Sequence, residues 1–504
     1  GDRPMRLQEL VAQLGGETDV RGAGPEVRDV RLDSREVSSG CLFAALPGLN
    51  GNGARFIQQA AERGAAAVLV PKGDLGGMTD GPLGLDVARW VHPEARRVAG
   101  LAAALVHGRP AREMSLCGIT GTNGKTTTAH ILGHLLQHAG LAPAVLGTAG
   151  HRLADGITVS ATHTTPDAPS LQRLLARHRD LGGRTAALEV SSHALEQERV
   201  AGLDFQVAVF TNLSREHDEY HGGMEAYAAA KARLFSGLGP DAHAVIHLDD
   251  PYGERMAEAA RSAGASVLTF STRRSADLRV SGLRTDLSGS QFDVDGMGIF
   301  SSPVRFPLRG RYNAENAMAA VAAARLMGAS PSSVLEGLAT TLPAPGRLEP
   351  VPTPGRPFSL FVDYAHSPDA LERVLATLRE DLDARPEPGR LIVVFGCGGD
   401  RDRGKRPEMG AIAARLADVQ IVTTDNPRGE APARIADEIL AGMPRRHDDL
   451  VIELDRRRAI RCAIAMAEPG DVVLVAGKGH ETTQIIGEET LVFDDRAVAR
   501  EALV

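Results

Sequence analysis

A glycine-rich segment after residue 120 combines the residue types that bind a polyphosphate. Residues 120–127 read TGTNGKTT. The glycines let backbone N–H groups approach phosphate oxygens, the lysine adds positive charge, and a threonine hydroxyl can bind Mg²⁺. The strict spacing of such loops would put a glycine where Ile119 stands, so a chance glycine-rich turn is the alternative. The loop on its own predicts a nucleotide site, with ATP as the ligand.

Three stretches of the chain must position these residues, and each alternates between strand and helix patterns. An apolar segment at 115–120 precedes the loop and a helical pattern follows through residue 136, the strand–loop–helix order that a phosphate loop needs. Proline and glycine interrupt the pattern near 108–110 and 341–346. We therefore predict an α/β protein of three domains: a small α/β domain (1–110), a central P-loop ATPase-like domain with a largely parallel sheet (111–343), and a Rossmann-like domain (344–504).

Composition excludes several classes of protein. Of the 504 residues, 43% are hydrophobic and 24% charged, as in a folded chain, and the net charge of −8 argues against a nucleic-acid partner. No apolar run approaches the roughly 18 residues of a membrane helix, so no membrane insertion is expected. The four cysteines form no CxxC pair, which predicts neither a disulfide framework nor a zinc site. The cysteine pattern indicates a reducing compartment, and no apolar signal segment opens the chain, so we predict a cytoplasmic protein. We also expect a monomer.

The sequence TGTNGKTT resembles the phosphate loop of the Mur ligases, ATP-dependent enzymes that add amino acids in peptidoglycan synthesis. Eight further segments resemble motifs of that family in the family's order: EVSSH (189–193), TNLS (211–214), YAAAK (227–231) with LF (234–235), PGRLE (345–349), DYAH (363–366), FGCGGDR (395–401), DNPR (425–428) and GKGHE (477–481). The resemblance extends over nearly the whole chain. It implies an amide ligase of small molecules that consumes ATP and requires Mg²⁺.

The resemblance also implies which residues meet ATP and the metal. The metal ligands and catalytic groups would be Lys125, Thr126, Glu189, His217 and a carbamylated Lys231. Taken alone, Glu189 reads as a cap or turn residue after a strand, and Lys231 as a solvated lysine on a helix. The implied ATP contacts are Gly121, Thr122, Asn123, Gly124, Lys125, Thr126, Thr127, Asn313, Asn316, Arg347, Asp363 and His366.

Two further sets of residues match the family's substrate positions. A diaminopimelate carries a distal carboxylate and a distal ammonium, which a guanidinium fork and an acid would hold; Arg428 and Glu481 would supply them. The alternative for 425–428 is an ordinary Asn-Pro turn with a solvated arginine, and Thr164 and Thr165 before a proline are typical of a turn. The UDP-substrate set is Ser34, Thr164, Thr165, Ser191, Gln197 and Arg199, and the amino-acid set is Arg401, Asp425, Asn426, Arg428, Gly477 and Glu481.

The reaction expected from this resemblance joins meso-diaminopimelate to UDP-N-acetylmuramoyl-L-alanyl-D-glutamate through an acyl phosphate. Alternatives are the same reaction with L-lysine or L-ornithine, folylpolyglutamate synthesis, and a nucleotide-binding regulatory protein without ligase chemistry. The chain departs from the family at Glu216, Asp218 and Glu219, in a stretch that normally reads RDHLDYH. His163 and His247 also stand where many relatives have asparagine.

Overall fold

The computed structural model describes residues 4–48, 51–73, 87–161, 163–214, 223–286, 288–387, 389–444 and 449–504. The first part of the chain forms a five-stranded sheet that is parallel except at one edge. In spatial order its strands are Glu17–Thr18, Ala88–His92, Ala67–Pro71, Cys41–Ala44 and Asp29–Arg31. Its helices are Leu7–Leu14, Ile57–Glu62 and Ala95–Val106, with 3-10 turns at Ser34–Glu36, Gly53–Phe56 and Pro110–Glu113.

The middle of the chain builds an eleven-stranded sheet around a parallel centre. In spatial order its strands are Thr158–Val159, Gly150–Arg152, Pro143–Gly147, Thr185–Glu189, Ser115–Thr120, Val207–Phe210, His243–His247, Ser266–Ser271, Leu278–Asp286, Gly289–Gly296 and Ile299–Phe306. The seven strands from Pro143–Gly147 to Leu278–Asp286 pair in parallel, and the outer strands on both sides pair antiparallel.

Helices cover both faces of this central sheet, which explains why its inner strands are apolar throughout. Lys125–His138 and Arg311–Leu326 pack on one face in a single apolar cluster. Ala168–Asp180, Met224–Ser236 and Gly253–Ser262 contribute to the cluster on the other face. The remaining helices of this part are Ser192–Glu196 and Pro331–Ala339.

The last part of the chain forms a six-stranded sheet, parallel except for its first strand. The strand order is Glu349–Val351, Ser359–Asp363, Val472–Ala476, Leu391–Phe395, Val419–Val422 and Leu450–Ile452. The helices are Pro368–Asp383, Lys405–Leu416, Pro432–Leu440, Arg456–Met466 and Asp495–Leu503, and Thr483–Ile486 pairs with Glu489–Val492 in a hairpin. No helix within the described ranges is long and apolar enough to cross a membrane.

The predicted fold class is confirmed, including the parallel central sheet and the Rossmann-like sheet. The limits 110 and 343 of the three domains stay predictions. One feature was missed: the three long antiparallel strands between residues 278 and 306. Their alternating pattern, in which Phe292, Val294, Val304 and Phe306 are buried, was the signal that could have revealed them.

Candidate functional site

The carboxyl ends of the central parallel strands bring the polar motifs together at one edge. Gly121, Thr148, Glu189, Thr211 and His247 stand at or directly after the ends of five neighbouring strands. In open α/β sheets ligands bind at this edge, because loops from several strands converge there. The phosphate loop therefore lies in the middle of a polar cleft.

The loop between Ser115–Thr120 and Lys125–His138 is built around two glycines with positive φ. Gly121 has φ 153° and Gly124 has φ 86°. A Cβ on Gly121 would lie 1.9 Å from Thr211 Oγ1, and one on Gly124 would lie 2.3 Å from Asn316 Oδ1. A side chain at either position would therefore force a neighbouring side chain or the loop to move. Lys125 Nζ donates to the carbonyls of Gly121 at 2.7 Å and of Thr122 at 2.8 Å.

A hydroxyl and a carboxylate meet beside this loop. Thr126 Oγ1 donates to Glu189 Oε2 at 2.9 Å, and Thr148 N donates to Glu189 Oε1 at 2.9 Å. Arg347, which comes from the last part of the chain, donates from Nη2 to Thr126 Oγ1 at 3.2 Å. Burial raises the pKa of Glu189 above its ordinary value, against the opposing charges of Lys125 and Arg347. A buried carboxylate of this kind favours a cation beside it.

These groups line one cavity of about 740 Å³. Its walls come from the phosphate loop, from other ends of central strands and from the last part of the chain. The lining residues are Thr122, Asn123, Gly124, Lys125, Thr126 and Thr127 of the loop, then Thr148, Thr164 and Glu189, and finally Arg347, Tyr364, His366, Ser367 and Ala370. The oxygen donors of Thr126 and Glu189 suit Mg²⁺, which prefers hard oxygen ligands.

Lys231 is buried against the loop rather than solvated. Its side chain is 1% exposed, and Nζ donates to the Gly121 carbonyl at 2.9 Å and lies 4.4 Å from the Tyr227 ring centroid. The solvated alternative is therefore wrong for this lysine. His217 and the departures at Glu216, Asp218 and Glu219 lie outside the described residues.

A second cavity, of about 680 Å³, is also lined by the loop residues Asn123, Gly124 and Thr127. Asn313 and Asn316 line it from helix Arg311–Leu326, and Asp363 lines it from the end of Ser359–Asp363. Burial raises the pKa of Asp363, although its two oxygens accept hydrogen bonds from the Leu348 and Ala365 amides at 2.6 and 2.8 Å. The cavity thus lies between the central sheet and the last sheet.

Asp369, in the last part of the chain, forms hydrogen bonds to the central part. The sequence alone did not predict a role for this residue. Its Oδ2 accepts hydrogen bonds from Asn123 Nδ2 at 2.6 Å and Ser214 Oγ at 2.9 Å. Asp369 lies in the first turn of Pro368–Asp383, directly after the DYAH segment, which was the only available signal. Within DYAH, His366 Nδ1 lies 2.8 Å from the Tyr364 carbonyl.

A third cavity, of about 500 Å³, lies between the first and central sheets. Gln197, Arg199, His163 and Arg96 line it together with Leu32. Arg199 donates to Gln197 Oε1 at 2.8 and 3.1 Å and to the Thr165 carbonyl at 2.8 Å. The fork of Arg199 is thereby fixed in orientation.

The hydroxyls predicted for the UDP substrate have different surroundings. Ser34 Oγ donates to Gln59 Oε1 at 2.6 Å, and Ser191 Oγ caps helix Ser192–Glu196. Thr165 is fully buried and donates to the Glu189 carbonyl at 2.8 Å. Thr164 lines the 740 Å³ cavity, 3.1 Å from Thr148 Oγ1. The structure brings together Gln197 and Arg199 in one cavity and places Thr164 in another. The substrate roles of all six residues of the UDP-substrate set stay predictions.

Arg428 adopts an unusual backbone conformation, with φ 50°. Its amide donates to the Ile485 carbonyl at 3.1 Å, and its carbonyl accepts from Gly487 N at 2.8 Å, so the hairpin after residue 482 holds it in place. Its Nη1 donates to the Gly399 carbonyl at 2.8 Å. Arg401 lies against the same turn: a Cβ on Gly398 would be 3.0 Å from Arg428 Nη1 and 3.7 Å from Arg401 Cγ.

Glu481 already has a cationic partner, Lys478. Its Oε2 accepts from Lys478 Nζ at 2.8 Å and from Asn426 Nδ2 at 3.0 Å. Burial alone would raise the pKa of Glu481, but Lys478 and Asn426 outweigh it and hold the pKa below its ordinary value. Lys478 is completely buried and lies 4.0 Å from Asp425, which is itself buried beside Gly477. Sequence reasoning missed Lys478, although it stands inside the GKGHE segment.

Comparisons with known proteins agree with this arrangement. Three family models match the chain: the Mur ligase family catalytic domain at residues 26–81, the Mur ligase middle domain at 119–324, and the Mur ligase glutamate ligase domain at 346–479. A UDP-N-acetylmuramoyl-L-alanyl-D-glutamate–2,6-diaminopimelate ligase of Thermosynechococcus vestitus is 44% identical over 506 residues, covering 99% of this chain and 98% of that protein. The protein of that name in Chromobacterium violaceum is 43% identical, covering 95% of each chain.

A solved structure of a ligase with this same name is similar along the whole chain. It has a TM-score of 0.68 and 35% sequence identity, and the match covers 99% of both chains. The relative and the solved structure thus match this chain over 99% of its length. The matched region includes the phosphate loop, the buried Thr126–Glu189 pair and the DNPR segment. By these matches, in sequence and in structure, this protein belongs to the Mur ligase family.

Proposed function

We propose that this ligase adds meso-diaminopimelate to UDP-N-acetylmuramoyl-L-alanyl-D-glutamate, with ATP cleaved to ADP and phosphate. The observation that carries the proposal is the 740 Å³ cavity, where the phosphate loop, the Thr126–Glu189 pair and Arg347 meet. The full-length relatives named for this reaction support the choice of substrates. Because the reaction consumes ATP, we place it in the cytoplasm, and we propose that the protein acts as a monomer.

The loop and its neighbours would hold the triphosphate. The N-terminus of helix Lys125–His138 and the loop amides favour anionic oxygens, and Lys125 would exchange its two loop carbonyls for phosphate oxygens. Asn313 and Asn316 would meet the adenine in the adjoining 680 Å³ cavity, with Asp363 and His366 on the opposite wall of the cleft. Arg347 would then reach the phosphates from the last part of the chain, so turnover requires the two parts to stay closed.

Mg²⁺ would be held by Thr126, Glu189 and His217, and by Lys231 after carbamylation. The bound ion would neutralise the triphosphate and so reduce its repulsion toward the substrate carboxylate. Carbamylation would turn the buried ammonium of Lys231 into an anionic oxygen ligand. The mass of the intact protein in bicarbonate buffer tests the carbamylation. The wild-type chain should gain the mass of one CO₂, and the variant Lys231→Arg should not gain it.

The carboxylate of the acceptor would attack the γ-phosphorus of ATP and form an acyl phosphate, with ADP leaving. The amine of diaminopimelate then attacks the acyl carbon, forms the amide bond and releases phosphate. Arg199 and Gln197, in the 500 Å³ cavity, would orient the acceptor. Thr164 would lie closest to the reacting carboxylate, because it lines the same cavity as Glu189.

Arg428 is the group that best distinguishes diaminopimelate from lysine. Among the described residues its side chain donates one hydrogen bond, to the Gly399 carbonyl, and the rest of its fork can bind a distal carboxylate. Arg401 would add a second positive charge at the same turn. Glu481 would share its charge between Lys478 and the incoming distal ammonium. Lysine has no second carboxylate and would leave Arg428 without a ligand.

An oxygen-label experiment tests the reaction path. If the acceptor carboxylate carries ¹⁸O, an acyl phosphate requires that the phosphate released with the amide contain one ¹⁸O atom. The assay uses the purified full chain, ATP, Mg²⁺, labelled UDP-dipeptide and diaminopimelate. Unlabelled phosphate would contradict the acyl-phosphate path, and absence of the UDP-tripeptide product would contradict the function itself.

A further inference from the structure

Three side chains with metal-binding atoms meet at the end of strand His243–His247, outside the phosphate-loop cavity. His247, Asp249 and Glu315 each contribute one nitrogen or oxygen, and the three atoms lie within 4.8 Å of one another. His247 Nε2 is 3.6 Å from Asp249 Oδ2 and 3.9 Å from Glu315 Oε1. Among the described residues no other group of histidine, cysteine and acidic side chains is this close.

The imidazole of His247 has an unsatisfied nitrogen. The residue is 6% exposed, and Nδ1 lies 2.7 Å from the Thr211 carbonyl. Because a carbonyl can only accept, Nδ1 carries the proton, and in the neutral ring Nε2 is then an acceptor. This atom has no hydrogen-bond partner in the described part of the chain and faces two carboxylates, which are also acceptors. A cation between the three groups would satisfy all of them.

We propose that His247, Asp249 and Glu315 bind a divalent transition-metal ion, Zn²⁺ or Mn²⁺, at a site separate from the catalytic Mg²⁺. One imidazole and two carboxylates form a donor set that such ions accept. Ligand atoms of a tetrahedral Zn²⁺ lie about 3.3–3.6 Å apart, given metal–ligand distances of about 2.0–2.2 Å. The two separations from His247 Nε2, 3.6 and 3.9 Å, need shifts of only a few tenths of an ångström. All three atoms lie within 4.8 Å of one another, so the two carboxylates would move closer together on binding.

Neighbouring residues already orient the two carboxylates. Asp249 Oδ1 accepts from Ser271 Oγ at 2.7 Å, and Asp249 Oδ2 accepts from Thr272 N at 3.0 Å. Thr272 Oγ1 lies 3.3 Å from Glu315 Oε1 and 3.5 Å from Asp249 Oδ2. Arg274 Nε is the nearest competing cation, 3.5 Å from Asp249 Oδ1 rather than from the oxygen that faces the imidazole. Such outer hydrogen bonds fix metal ligands in position.

The site adjoins the cavity proposed for adenine. The His247 ring stacks on Phe270 with centroids 4.9 Å apart and an interplanar angle of 4°, and Phe270 and Glu315 both line the 680 Å³ cavity. A bound ion would connect the end of strand His243–His247 to helix Arg311–Leu326. The ion would thereby stabilise one wall of the 680 Å³ cavity. The proposed metal site is independent of the choice of amino acid that the enzyme adds.

Metal titration of the full-length protein tests the site. Chelator-treated protein in saturating Mg²⁺, which fills the catalytic site, is titrated with ZnCl₂ or MnCl₂ and analysed by equilibrium dialysis with elemental analysis. The variants His247→Asn and Glu315→Gln remove one ligand each, and His243→Asn changes a histidine on the same strand. Wild type and His243→Asn should bind one ion more than the two ligand variants, or bind it at least about tenfold more tightly. Zn²⁺ should also raise the thermal unfolding midpoint of wild type and of His243→Asn, but not that of His247→Asn or Glu315→Gln.

Equal stoichiometry and affinity in wild type and His247→Asn would overturn the proposal. So would a nitrogen NMR spectrum showing His247 protonated on both ring nitrogens in zinc-saturated protein, because the imidazolium would then bridge the carboxylates instead of a metal. Unfolding midpoints without metal establish that each variant folds. If His247→Asn fails that check, Glu315→Gln decides.

Discussion

At the residue scale, Arg428 is held in a conformation that its own chemistry does not favour. A positive φ costs a non-glycine residue about 1 kcal/mol or more, and such strain persists only where the surroundings impose it. The hydrogen bonds of its backbone to Ile485 and Gly487 impose it here. The result is a guanidinium aimed at the Gly399 turn, close to Arg401.

Replacing Arg428 by alanine should therefore reduce kcat/KM for diaminopimelate by about tenfold to a hundredfold, the effect of losing a charged hydrogen bond worth about 1.5–3 kcal/mol. ATP affinity should stay unchanged, because the nucleotide cavities do not contain this residue. Steady-state kinetics with varied diaminopimelate measures the first effect, and nucleotide titration measures the second. Arg434→Ala, at a mostly exposed arginine on Pro432–Leu440, is the matched control. An equal loss of both functions in Arg428→Ala would refute the assignment.

At the element scale, the positions of the motifs at the strand ends explain how much of the site could be predicted from the sequence. The motifs follow apolar strands, so their meeting at one edge of each sheet could be expected from sequence alone. The contacts of Lys478 with Asn426 and of Asp369 with Asn123 could not be expected, because they join residues far apart in the sequence and depend on how loops pack in space. The same holds for the buried position of Lys231, since its helix pattern does not distinguish a residue facing the phosphate loop from one facing solvent.

The phosphate loop provides a prediction at this scale. Gly124→Ala should lower ATP affinity by at least about tenfold, because its Cβ would lie 2.3 Å from Asn316 Oδ1 and force the loop or the helix to move. Gly140→Ala is the matched control: Gly140 also has positive φ, at 76°, but its Cβ would meet nothing within 4 Å. Both variants should lose about 1–2 kcal/mol of stability from φ strain. ATP titration should show a weakened affinity only in Gly124→Ala. Similar ATP affinities in both variants would contradict the role given to Gly124 in the loop.

At the scale of the whole molecule, helix Pro368–Asp383 packs the last sheet unit against the central one. Asp369 contacts the phosphate loop, and Asp381, further along the helix, lies 3.9 Å from Arg309 Nε. Arg309 also lies over the Phe361 ring, 4.4 Å from its centroid. Burial raises the pKa of Asp381 to about 6 in spite of the arginine, so we expect the free energy of unfolding to depend on pH.

The sign of that dependence follows from the raised pKa. Below its ordinary value of 3.8, Asp381 is protonated in both the folded and unfolded chain, and no penalty arises. As the pH rises to about 6, the unfolded state ionises first and the folded state loses stability. Asp381→Asn should thus be more stable than wild type by about 1–2 kcal/mol at pH 8, allowing for solvent screening, and equal to it near pH 3.5.

Thermal unfolding of both proteins across this pH range measures the difference. Asp383→Asn is the control, because Asp383 lies on the same helix with 62% of its side chain exposed. A difference between Asp381→Asn and wild type that persists at low pH, or has the opposite sign at pH 8, would contradict the prediction.

In the proposed function, three substrates meet at one cleft and phosphoryl transfer from ATP serves amide formation. Phosphate release by the purified full-length protein, with ATP and Mg²⁺, tests it most directly. We expect release to require both UDP-N-acetylmuramoyl-L-alanyl-D-glutamate and meso-diaminopimelate, and L-lysine or L-ornithine to support it at least tenfold less well. Release that needs neither the acceptor nor the amino acid, or that proceeds equally with lysine, would contradict it.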